Sequence, residues 1–235
     1  MRRTLAFFFC TLLIQAIFAQ RPFPSGLPTC LEDDFRELEK LYDATNGDNW
    51  TFKTNWLSGN NLASWHGITL TANSCDVSMI NLLNNNLVGT LPNLNLPKLT
   101  SLGLTNNALS GSIPNYTFPE LTNLRLSNNQ LTGSVPNFNL PKVSFLYLDN
   151  NQLSESLPAL NLPELINFWL FNNQISGILP NLNTPKLLSM AFSNNQFSGT
   201  IPVFNTPLII YIQLDGNQLS GNIPNFNYPN LQYLH

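Results

Sequence analysis

The stretch LTNLRLSNN, residues 121–129, decides the fold. Leu121, Leu124 and Leu126 stand at its first, fourth and sixth positions, and the pair Asn128-Asn129 closes it. Leu124 and Leu126 have the two-residue period of a strand with one buried face. The same pattern returns every 22 residues. Its asparagine recurs as Asn85, Asn107, Asn129, Asn151, Asn173, Asn195 and Asn217, without a slip. Two residues later stand Leu87, Leu109, Leu131, Leu153, Ile175, Phe197 and Leu219. Prolines follow at two fixed offsets, Pro92 to Pro224 and Pro97 to Pro229. A period of this length means a solenoid, in which each unit buries its apolar face against the next.

Stacked in parallel, the strands bury the pairs Leu102/Leu104, Leu124/Leu126, Leu146/Leu148, Phe168/Leu170, Met190/Phe192 and Ile212/Leu214. The asparagine column turns the chain out of the strand. A buried amide carries both donor and acceptor, so these residues are assigned a structural role. The glycine column Gly89, Gly111, Gly133, Gly177, Gly199 and Gly221 implies a turn or a close backbone approach. Glu155 breaks it. Either the position needs no positive φ, or that coil is distorted.

Each unit reads roughly LxxLxLxxNxLxGxIPxxxxPx. It resembles the leucine-rich repeat, and NNALSGSIP (106–114) is similar to its plant-type subclass. The stretch after the first proline is shorter than in that subclass, and prolines bound it. A tight extended or single-turn convex segment is expected there. The expected fold is a parallel β-solenoid, a horseshoe or superhelix, with little helix outside an amino-terminal cap.

The expected divisions are a signal peptide over 1–19, a cap over 20–76 and repeats over 77–235, the last incomplete. MRRTLAFFFCTLLIQAIFAQ has two arginines, an apolar stretch and a small residue at Ala19. Gln15 interrupts the run, which falls short of the ~20 residues a span needs. Cys10 does not read as a lipidation site. Cleavage after Ala19 leaves Cys30 and Cys75, expected to form a disulfide. Two cysteines with the distant His66 and His235 do not make a zinc spacing. Loss of Arg2 and Arg3 takes the formal charge from -3 to -5. Within the cap, Leu31, Phe35, Leu38, Leu41 and Tyr42 lie on one helical stripe that Asn46-Gly47 stops. Trp50, Trp56 and Trp65 follow. The segment resembles the capping region of secreted leucine-rich-repeat proteins. The tryptophans are expected to cover the open end of the core, against the alternative of a sugar-binding platform. His66 is expected to be a cap residue. Sequons stand at Asn49 and Asn115.

Function is expected on the outward columns. In INFWLFNNQISG (166–177), Trp169 lies between the inward Phe168 and Leu170, so it faces the concave sheet with Phe171 beyond it. Adjacent strands add Phe145 and Tyr147, flanked by Arg125 and Asp149; Tyr211 lies two strands further on. Arg125, Phe145, Tyr147, Asp149, Trp169, Phe171 and Tyr211 are the candidate ligand-binding residues. Exposed aromatic clusters with polar rims mark interaction sites, although cross-strand stacking alone is the plainer account. Only 10% of residues are charged, and the net charge of -3 gives no basic footprint for nucleic acid. No paired carboxylates, nucleophile with base, metal cluster or phosphate loop is visible, so neither an enzyme nor a cofactor is expected. The expected function is a secreted or cell-surface binding protein that recognises a protein or peptide through its concave sheet. Glycan binding is the alternative, and ice binding is disfavoured by irregular outward columns. The chain stops at NLQYLH, inside a strand pattern. It is therefore expected to be a fragment, of a receptor-kinase ectodomain for example.

Overall fold

In the computed structural model, which describes residues 21–58 and 61–235, the 22-residue unit is one turn of a solenoid. The expected signal peptide lies outside the described residues. Nine short strands form the concave sheet in chain order: β1 (Ile68–Leu70), β2 (Val77–Asn81), β3 (Ser101–Gly103), β4 (Asn123–Arg125), β5 (Phe145–Tyr147), β6 (Asn167–Trp169), β7 (Ser189–Ala191), β8 (Tyr211–Gln213) and β9 (Tyr233–Leu234). β1 pairs antiparallel with β2; every later pair is parallel. The register advances by one repeat at each step, so that Phe168 lies opposite Leu146 and Met190.

The inward pairs are buried throughout. Each such side chain contributes roughly 1.5–3 kcal/mol by leaving water, and the ladder runs the length of the molecule. Thr184 and Thr206 take convex positions that hold Leu140 and Leu162 in earlier coils, and both are buried. The convex segments carry no helix among the described residues, as the prolines require.

The asparagine column closes each coil onto the one before. Asn151 Nδ2 donates to the carbonyls of Leu148 in its own coil, at 3.1 Å, and of Leu126 in the preceding coil, at 3.0 Å. Its Oδ1 accepts from the Leu131 N–H at 3.0 Å. Asn129, Asn173, Asn195 and Asn217 repeat this set at the same sequence offsets. Asn85 bonds to the backbone of Phe52 and so ties the first coil to the cap.

The residue before each of these asparagines has a separate task. Asn84, Asn106, Asn128, Asn150, Asn172 and Asn194 all have φ between 52° and 57°. Asn tolerates this left-handed conformation better than most side chains. Gly216 takes the same place in the next coil, with φ of 67°.

Glu155 answers the question that its column raises. Gly111, Gly133, Gly177, Gly199 and Gly221 have φ of 73–82°, and Glu155 sits at 68°. The coil keeps the glycine conformation with a side chain attached. A second sheet, on the flank after the asparagine turn, divides at this point. One part holds Val88–Thr90, Ala108–Ser112, Gln130–Gly133 and Gln152–Leu153; the other holds Ser176–Ile178, Gln196–Gly199 and Gln218–Leu219.

The cap covers the first coil. Helix α1 (Glu32–Ala44) buries Phe35, Leu38, Leu41 and Tyr42 and carries three acids in its first turn, where the helix dipole favours them. Trp50, Trp56 and Trp65 are buried, and Trp56 stacks on Tyr42 and packs against both other tryptophans. They are cap core, and their rings are not exposed as a sugar-binding platform would require. Cys30 is bonded to Cys75, which fastens the entry to α1 to the turn before β2. Asp34 reaches the same turn, accepting the Val77 N–H at 2.5 Å. Burial pushes its carboxyl up to about 6, against the opposing pull of that hydrogen bond.

Three outcomes follow from these local conditions. Glu155→Gly should raise stability by about 1 kcal/mol, because a left-handed non-glycine residue costs roughly 1–2 kcal/mol; denaturant unfolding measures it. Asn151→Ala should cost about 1–3 kcal/mol in the same assay, since it leaves the buried Leu131 N–H without its acceptor, while the Leu126 and Leu148 carbonyls keep the amides of Asn129 and Asn173 as donors. Asp34 titrates higher folded than unfolded. Its contribution is therefore full below the ordinary carboxylate range and lost as pH rises through about 6. Asp34→Asn, which can still accept from Val77, should flatten this part of the stability–pH curve between about pH 4 and 7.

Candidate functional site

The strand period sends alternate residues of β2 to β9 onto the concave face. The small span of each strand lets three columns stand there, one residue per coil. Adjacent members are separated by the strand spacing of about 4.8 Å. Aromatic residues in neighbouring columns must therefore touch.

They do. Tyr147 on β5 and Trp169 on β6 lie with ring centroids 4.4 Å apart. Phe145 joins Tyr147 at 6.2 Å and Phe171 joins Trp169 at 6.2 Å. The four rings are each half-buried, shielded by one another while their outer faces meet solvent. Polar contacts hold them further: Asn167 Nδ2 donates to Tyr147 Oη at 3.1 Å, and Trp169 Nε1 lies 3.4 Å from Ser189 Oγ. The Arg125 guanidinium sits 5.6 Å from the centre of the Tyr147 ring, on the exposed side. No salt bridge or hydrogen bond engages it among the described residues.

Asp149 is placed differently from the expectation of an acid standing free at the edge of the patch. It is 4% exposed. Ser127 Oγ donates to one carboxylate oxygen at 2.6 Å and Asn150 Nδ2 to the other at 2.7 Å. Burial moves its carboxyl above the ordinary range, and those two hydrogen bonds oppose the shift. The column it belongs to follows the strand, where the chain is already turning inward. Asp149 therefore braces the turn below Phe171. Tyr211 is half-buried two strands beyond Trp169 and donates to Gln213 Oε1 at 2.8 Å.

Two recesses flank the aromatic ridge, and sequence reasoning missed both because small residues make them. One, of about 430 Å³, opens over Gly103 and is bordered by Met79, Leu83, Asn123 and Arg125. The other, of about 370 Å³, opens over Ala191 and is walled by Trp169, Phe171 and Tyr211. The available signal was a drop in size within one column, from Arg125, Tyr147 and Trp169 to Gly103 on one side and Ala191 on the other. No group of three or more metal-ligating side chains exists among the described residues. No helix among them is long and apolar enough to cross a membrane.

A family model described as Leucine Rich Repeat matches residues 120–139, the unit with which the sequence was first read. No curated protein matches the chain. Solved structures do. The chain is similar to one in the crystal structure of PEPR1-AtPEP1, at 26% identity and a TM-score of 0.74, over 86% of this chain and 31% of that one. It is similar to one in the complex of the Arabidopsis receptor kinase HAESA with the peptide hormone IDA and the co-receptor SERK1, at 27% identity and a TM-score of 0.71, over 83% of this chain and 39% of that one. A plant ice-binding protein matches at 23% identity and a TM-score of 0.58, over 86% of this chain and 77% of that one, a likeness of fold alone. The chain thus spans well under half the length of the two receptor-related chains. The 22-residue register and the parallel sheet make this chain a parallel β-solenoid, whose unit at residues 120–139 matches the Leucine Rich Repeat model and whose architecture is similar to that of these receptor-related chains.

Proposed function

We propose that this chain is an extracellular binding module that recognises a peptide or an extended protein segment on its concave sheet. The observation that carries the reading is the ridge of Phe145, Tyr147, Trp169 and Phe171, packed ring against ring across two adjacent strands with its outer faces in solvent. Aromatic side chains held by their neighbours present large contact area and lose little entropy on binding. Arg125 contributes the unengaged cation at the edge of the ridge. Tyr211 extends the surface beyond Trp169. The peptide class is supported by the likeness to a chain in the HAESA complex, which includes the peptide hormone IDA.

The Cys30–Cys75 bond supports an oxidising compartment, and so a secreted or cell-surface location. The divisions proposed are a cap up to residue 76 and repeats from 77. Ice binding finds no support on the concave face, because a rank of like small hydroxyls is absent from its columns: Arg125, Tyr147, Trp169, Ala191 and Gln213 succeed one another.

The test is a random peptide display library and a glycan array, each offered to the immobilised chain. Enrichment of peptides, with affinity falling by about tenfold or more in Trp169→Ala, is expected, since a central aromatic anchor is worth about 2 kcal/mol or more. Binding on the glycan array alone, or peptide binding that Trp169→Ala leaves unchanged, would overturn the reading.

A further inference from the structure

The two recesses are alike in origin and opposite in chemistry. Each forms where the central concave column drops to a small residue. Gly103 lies on β3 and Ala191 on β7, four strands apart. At about 4.8 Å per strand the separation is about 19 Å. The ridge of Tyr147 and Trp169 fills the interval between them. An extended peptide rises about 3.3 Å per residue, so side chains six positions apart are about 20 Å apart and point to the same side. The span of the two recesses is therefore the span of residues i and i+6 of an extended ligand lying across the ridge.

The walls differ in charge. At the Gly103 recess Arg125 is exposed, and its guanidinium meets no carboxylate among the described residues. Asp149 offers no rival charge at the surface, being buried with both oxygens hydrogen-bonded. An anion placed here gains a charge-assisted hydrogen bond. The Ala191 recess is walled by the rings of Trp169, Phe171 and Tyr211. Asp215, on the coil just beyond, is exposed and disfavours an anion at that end. The floor there can take an apolar side chain of leucine or phenylalanine size.

We infer that the concave sheet takes an extended peptide with an aspartate or glutamate at the Gly103–Arg125 recess and, six residues away, a large apolar side chain at the Ala191 recess. This rests on the reading of the concave sheet as a peptide-binding surface and specifies its ligand class. The aromatic ridge contacts the residues between the two anchors and gives affinity with little sequence demand. The recesses give the selectivity.

The experiment uses the full chain and a display library of extended random peptides fused through their carboxyl ends, so that no free terminal carboxylate is offered. Enriched sequences should pair Asp or Glu with Leu, Met or Phe at a separation of six, scored in both chain directions. Arg125→Gln should weaken such peptides roughly tenfold, the value of one charge-assisted hydrogen bond, and should weaken Asp→Asn peptides no further. Ala191→Leu, which fills the second recess, should weaken them by about tenfold or more and act independently of the acid. Far-ultraviolet circular dichroism and melting of both variants, expected to match the parent, guard against misfolding. If enriched peptides depend on Trp169 but show no such pair, or ignore Arg125→Gln and Ala191→Leu, the two-anchor inference is overturned while the concave binding surface stands. If no peptide is enriched, or Trp169→Ala leaves binding unchanged, both are overturned.

Discussion

The structure depends on one side-chain amide repeated at 22-residue intervals. The inward asparagine must donate to two carbonyls, one in its own coil and one in the coil before, and must accept one N–H of that earlier coil. Aspartate has no donor and would place a charge in the core. Glutamine has the groups but a longer reach. A leucine would leave the N–H of the earlier coil buried without an acceptor, which costs about 1–3 kcal/mol. Because each amide bonds to the coil behind it, it fixes the step from coil to coil as well as the turn within one. The strand register of the concave sheet follows from that step.

A fixed step separates the tasks of the inner and outer residues. Inner positions must fill volume, and rings such as Phe192, Phe197 and Phe204 are buried there among leucines. The fill is imperfect: Thr184 Oγ1 and Thr206 Oγ1 are buried without hydrogen-bond partners. Outer positions are released from packing, so size and charge can change abruptly from one coil to the next. Gly103, Arg125, Tyr147, Trp169 and Ala191 are consecutive members of one column.

The frame was legible because its period is long, unbroken and tied to residues with few substitutes. The parallel sheet, the inward pairs, the helix-free convex side, the cap stripe and the disulfide could all be read from spacing and composition. What escaped depends on backbone angles and on absent atoms. The first asparagine of each pair reads as a neighbour of the second, yet its place requires positive φ, as Gly216 in the same column signals. Glu155 could be read either way, since an occasional side chain in the left-handed region costs too little to exclude. Asp149 looks like a surface acid because the strand period assigns it outward. The chain has begun to turn by then, and only the hydrogen bonds from Ser127 and Asn150 reveal its burial. The recesses over Gly103 and Ala191 went unread because attention falls on large side chains, whereas a recess is made by small ones.

The aromatic ridge need not be assigned to stability or to recognition as if these excluded each other. Ring centroids 4.4 Å apart at Tyr147 and Trp169 give a contact worth about 0.5–1.5 kcal/mol beyond area, which stiffens the sheet. The same contact restricts the rotamers of both rings before any ligand arrives. Ordering an aromatic side chain on binding would otherwise oppose association by about 0.5–1.5 kcal/mol for each one immobilised. Four rings fixed in advance remove much of that cost. Stacking alone, however, would be served by any aromatic run along one column. It does not account for an exposed guanidinium that meets no carboxylate among the described residues at one end of the ridge, or for an alanine that opens a ring-walled recess at the other. Those two features cost the isolated chain contacts that larger or oppositely charged residues would supply, and both are places where a ligand side chain can complete the surface.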